Sequence, residues 1–124
     1  MKTLTKKISA IGFSITMAVS MAFNVNASSY SKTEYGVNCY AETRTVANRK
    51  GAYASSSKGE SDSVGVNIVL YYYDSSGNLK NIGSGNSGKR STNTTQLTPS
   101  GGTFTQAKVT HKWNSMVVYE GSVR

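Results

Sequence analysis

From Tyr35 onward, apolar and polar residues alternate with period two along most of the chain, and no segment after residue 27 has the 3.6-residue period of a helix. In Tyr35–Thr45, Tyr35, Val37, Cys39 and Ala41 share one face, and Asn38, Glu42 and Arg44 the other. This predicts a half-buried strand. Asn48-Arg49-Lys50-Gly51 reads as a turn with Gly51 at positive φ, and Ala52–Ser56 as the return strand. Val64–Asp74 carries the strongest strand signal. Val64, Val66, Ile68, Leu70 and Tyr72 fall on one side, and Gly65, Asn67, Val69, Tyr71 and Tyr73 on the other. Asp74–Asn78 predicts a hairpin loop with a left-handed glycine, returning through Leu79–Ile82. Gly83–Gly102 lacks large apolar residues and reads as a long loop or a weak edge strand around Thr92–Thr98, closed by a turn at Pro99–Gly102. Thr103–Trp113 and Met116–Val123 alternate again around a tight Asn114-Ser115 turn. Ser28–Lys32 reads as a frayed terminus, and Lys58–Asp62 as a loop.

Six or seven short strands at roughly ten-residue spacing predict an all-β fold, a small antiparallel β-sandwich or a partly open barrel. Tyr, Val, Thr and Gly dominate over helix formers, which agrees with that class.

The N-terminal segment follows another pattern. Lys2, Lys6 and Lys7 precede an uncharged apolar run from Ile8 to Phe23, and Val25-Asn26-Ala27 offers small residues for cleavage after Ala27. The run is too short for a stable membrane span. Residues 1–27 are therefore expected to be a signal peptide, and 28–124 a single secreted domain. The Lys-rich start and the Ser/Thr/Asn/Gly-rich remainder suggest a Gram-positive bacterium. Removing 27 of 124 residues leaves 97, and losing three lysines lowers the net charge from +8 to +5.

One cysteine cannot form an internal disulfide or a thiolate zinc cluster. Cys39 and His111, the only thiol and the only imidazole, could form a nucleophilic dyad. The motifs that surround such pairs are absent, and Cys39 lies in phase with Val37 and Ala41, the place of a buried, inert thiol. His111 lies in phase with Val109 and Trp113. No Gly-x-Ser-x-Gly elbow occurs, the acids are few, and Glu60-Ser61-Asp62 and Asp74–Asn78 lack the spacing of a calcium loop. The expectation is a non-enzymatic protein without cofactor or metal.

Binding is the remaining class. Tyr71 and Tyr73, with the basic residues Arg49, Lys50, Lys89 and Arg90, are the expected ligand-contacting residues. An exposed Tyr71/Tyr73 face would form an aromatic platform for sugar rings or a partner protein, although the scarcity of apolar residues favours core or partial burial for it. A basic exported protein meets anionic envelope polymers, lipid surfaces and other proteins, and export argues against nucleic acid. Edge strands at Thr92–Thr98 or at the C-terminus could pair with a second copy. The layout of an export signal followed by a small basic β-domain rich in glycine and tyrosine is similar to lactococcin-type bacteriocins. That resemblance implies, as an alternative to an envelope-binding module, a secreted antimicrobial or toxin-like protein acting on neighbouring cells.

Overall fold

A computed structural model describes residues 28–59 and 63–124. The expected signal peptide and residues 60–62 of the Lys58–Asp62 loop lie outside the described residues. Eight strands run in chain order: β1 Ser29–Glu34, β2 Val37–Val46, β3 Arg49–Ser57, β4 Ser63–Tyr73, β5 Leu79–Lys89, β6 Thr92–Leu97, β7 Thr103–Trp113 and β8 Met116–Val123. They form two four-stranded antiparallel sheets, β1-β2-β3-β6 and β5-β4-β7-β8, which pack as a small sandwich. Among the described residues, no helix is long and apolar enough to cross a membrane.

The inner faces are complementary in size. The first sheet presents small residues, Ala41, Ala52, Ala54 and Ser56, and the second presents Val64, Val66, Ile68, Leu70 and Val109, all fully buried. Pairing small with large residues lets the sheets interdigitate without large aromatic side chains at the centre. A second cluster of Val37, Cys39 and Val118 closes one end, beside Tyr30, Trp113 and Tyr119.

The sandwich expected from sequence therefore forms, with eight strands where six or seven are expected. Ser29–Glu34 is a paired strand, not a frayed end, and runs six residues in register with β2. It is hard to read because Tyr30 is its one large apolar residue. The return strand after the hairpin continues past Ile82 to Lys89, in an eleven-pair register with β4. Polar groups seal this edge across the sandwich: Ser84 Oγ lies 2.7 Å from Thr95 Oγ1, and Asn86 Nδ2 donates to the Thr94 carbonyl at 3.2 Å. Thr92–Leu97 is indeed an edge strand, as is β8.

Three local expectations are corrected. Tyr35 is not on the core face: it sits at positive φ with Gly36 in the β1–β2 turn and is 66% exposed. The β2–β3 turn is Ala47-Asn48, both at positive φ, and Gly51 lies inside β3 without positive φ. A glycine is needed there because a Cβ would strike the Leu97 carbonyl and the Thr98 side chain. The Tyr71/Tyr73 face is not core but points outward, because β4 turns its Val64/Val66/Ile68/Leu70 side to the opposite sheet; Tyr71 is half-buried there, as partial burial would have it, and Tyr73 is 46% exposed. The turns at 74–78, 99–102 and 114–115 form where expected. Gly77 has φ 83°, and Asp74 Oδ1 accepts from the Ser76 and Asn78 amides at 2.9 Å each.

Candidate binding surface

Chemistry-bearing residues fall in three places: the sandwich interior, the outer face of the first sheet, and the outer face and ends of the second.

The interior holds His111, fully buried. The Ser56 hydroxyl donates its one hydrogen to the Gly65 carbonyl at 2.8 Å, so it accepts from His111 Nδ1–H, also at 2.8 Å. Nε2 is then the acceptor for the Tyr30 hydroxyl at 2.7 Å. A single neutral tautomer is thereby fixed, with Tyr119 stacked alongside at a ring-centroid distance of 6.2 Å. Burial holds the His111 pKa down to about 3, against a hydrogen bond to the Ser55 backbone. Burial also pushes the Cys39 thiol up to about 12, and its Sγ faces the Val37 carbonyl at 3.6 Å. The two residues are not brought together as a nucleophile and its base, because both His111 nitrogens are occupied by Tyr30 and Ser56.

On the outer face of the first sheet, Tyr40, Glu42 and Arg44 project from β2 beside Tyr53 of β3. The Tyr40 hydroxyl donates to Glu42 Oε1 at 2.5 Å, Arg44 Nε donates to Glu42 Oε2 at 2.8 Å, and Arg44 also reaches Gln96 Oε1 at 3.2 Å. The guanidinium carbon lies 4.0 Å from the Tyr53 ring centroid. Hydrogen bonds from Tyr40 and Arg44 hold the Glu42 carboxyl below its ordinary pKa. Tyr40 was legible as part of this face, being two residues before Glu42 in a period-two strand. Its partner Tyr53 follows only from the β2–β3 register, in which Glu42 faces Tyr53. The cluster satisfies itself and is electrically neutral, so it offers little to an anionic partner.

The second sheet differs. Three of the four acids among the described residues are matched to neighbours: Glu34 to Lys32 at 3.5 Å, Glu42 to Arg44 at 2.5 Å and Asp74 to Lys80 at 4.0 Å. The fourth, Glu120, is held above its ordinary pKa by burial. Arg49, Lys50, Lys89, Arg90, Lys108 and Lys112 make no ion pair among the described residues.

The six residues expected to contact a ligand are divided by the fold. Arg49 and Lys50 open β3 and flank a shallow open depression with Pro99, Thr103 and Phe104. The Lys50 ammonium lies 5.3 Å from the Phe104 ring centroid. Gly102 at the rim packs on the Tyr73 backbone, which places Arg49 and Lys50 at the Tyr73 end of the sandwich. Lys89 pairs in register with Ser63 at the start of β4, so Lys89 and Arg90 occupy the opposite end, ten residues or about 33 Å along the strand. Lys108, absent from the expected set, joins Tyr71, its Nζ 6.0 Å from the ring centroid. It was findable only through register, since it pairs with Val69 on β4.

Among the described residues, no group of three or more His, Cys, Asp and Glu side chains is placed to hold a metal ion. The chain matches no family model, no curated protein and no solved structure.

Proposed function

We propose that this chain is an exported, non-enzymatic binding module that attaches to anionic polymers of a Gram-positive cell envelope. The observation that carries the reading is the uneven matching of charge. Three acids are matched within the sandwich, while Arg49, Lys50, Lys89 and Arg90 at its two ends make no ion pair among the described residues, and on the outer face of the second sheet Lys108 and Lys112 face the single carboxylate Glu120. Unmatched exposed cations raise the local concentration of polyanions and speed encounter, and salt screens the effect. A buried thiol and a hydrogen-bonded, neutral histidine fit a scaffold role for Cys39 and His111.

The test is retention of the protein, with and without residues 1–27, on isolated Gram-positive cell walls. Retention is expected at low salt with release at high salt, and replacing both Arg49 and Lys50 by Gln should weaken it severalfold. Absence of retention at low salt would overturn the reading. Growth inhibition of related strains by protein that walls do not retain would favour the bacteriocin-like alternative instead.

A further inference from the structure

Resting on that reading, we infer a specific ligand surface: the outer face of β5-β4-β7 is a trough for a linear polysaccharide of carboxylated sugar rings. The trough floor is formed where β5 lacks side chains. Gly83 stands opposite Val69 and Gly85 opposite Asn67, and both glycines are exposed on the outer face. The Asn67 amide lies over Gly85, since a Cβ there would collide with its Oδ1. On the other side of β4, Lys108 is opposite Val69 and Lys112 opposite Gly65, so β7 contributes two cations, with one carboxylate, Glu120 of β8, behind them in register with Thr110.

Tyr71 sits at the head of the trough with an amide on each side, Asn81 across on β5 and Gln106 across on β7. An aromatic ring flanked by amides suits a sugar ring, which stacks its C–H face on the aromatic and pairs its hydroxyls with the amides. Lys108 and Lys112 outnumber the one nearby carboxylate, Glu120, and supply the complement to the carboxylates of a ligand. Leu79, 58% exposed and in register with Tyr73, extends the apolar strip past the tyrosines. Contiguous exposed apolar residues of this kind mark interaction surfaces. A bilayer is the poorer occupant, because amides and bare glycine backbone line the trough where a membrane-inserting surface would carry projecting apolar groups.

Gly83 offers a test that spares the fold. A Cβ added there comes no closer than 3.5 Å to any atom, and its φ is not in the left-handed range. Gly83→Thr adds a strand-favouring side chain that fills the trough. Binding to polygalacturonate, neutral dextran and anionic phospholipid vesicles would be measured for the wild type, Gly83→Thr, Tyr71→Ala and Lys108→Gln. The wild type should bind polygalacturonate and not dextran. Each variant should bind at least about tenfold more weakly, while the denaturation midpoint of Gly83→Thr stays the same or rises. Equal polygalacturonate binding by the wild type and Gly83→Thr would overturn the inference, as would a preference for vesicles or for a polyol phosphate without sugar rings. Wall retention by the wild type and Gly83→Thr alike would remove the trough and leave the envelope-binding reading standing. No wall retention by the wild type would remove both.

Discussion

Lowering the pH from 6.5 to 3 is expected to cost the folded chain about 4 kcal/mol through His111 alone. In the unfolded chain the imidazole titrates near its ordinary 6.5, whereas in the sandwich it stays neutral down to about 3. Between those values the unfolded state binds a proton that the native state refuses. Stability is therefore complete above pH 6.5 and falls by about 1.4 kcal/mol per pH unit below it. The native state cannot accept the proton without disrupting a filled network, since Nδ1–H already donates to Ser56 and Nε2 accepts from Tyr30. The other groups around the ring do not relieve the cost. Tyr30 and Tyr119 are both pushed up by burial and stay neutral throughout this range. Glu42 and Asp74, both lowered, add their own losses only at more acid pH, whereas Glu120, raised by burial, opposes the trend as it protonates. By pH 4 the His111 loss amounts to about 3 kcal/mol. A small domain has a total stability of only about 5–15 kcal/mol, so the domain is expected to be strongly weakened but still folded at pH 4. Urea midpoints between pH 7 and 4.5 check this, because that window lies above the carboxylate losses. A flat profile there would contradict a buried neutral His111. His111→Gln should start from a lower baseline and lose the slope.

What was legible in the sequence follows from which interactions carry pattern. β4 and β7 are anchored by large apolar side chains at alternate positions, and both were readable from period alone. β1 and β5 are held by register and by polar bonds across the sandwich, such as Ser84 to Thr95, and these leave no hydrophobic rhythm. Alternation also assigned Tyr71 and Tyr73 to one face without saying which face is covered. Both sides of β4 are apolar near its end, and the decision came from the alanines of the opposite sheet, which fit Val66, Ile68 and Leu70. The candidate surface was legible in its residue types and not in its grouping. Lys89 and Arg90 resemble Arg49 and Lys50 in the sequence, but antiparallel pairing sends the two pairs to opposite ends. The trough depends on glycines of β5 that, read locally, signal a loop.

Glycines also carry the second large effect. Gly102→Ala is expected to destabilise the fold by about 2–4 kcal/mol, while Gly101→Ala leaves stability unchanged or raises it by up to about 1 kcal/mol. The two are neighbours in Pro99–Gly102, and nothing in their order separates them. Gly102 has φ 79°, a left-handed conformation that costs an L-residue about 1 kcal/mol or more. A Cβ there would also strike the Tyr73 carbonyl, with the carbonyl carbon at 2.9 Å and Asp74 Cα at 3.1 Å. These are backbone atoms of the β4 terminus and cannot rotate aside, so either the β6–β7 loop lifts off or the end of β4 shifts. At Gly101 nothing lies within 4 Å and φ is not positive, so an alanine there only restricts the unfolded chain. Denaturant midpoints of the two single variants provide the comparison, and equal losses from both would show that the loop does not seat on Tyr73 through Gly102. Arg49 and Lys50 flank the depression that Gly102 lines. The Gly102 variant should therefore also weaken low-salt wall retention, and the Gly101 variant should retain it in full.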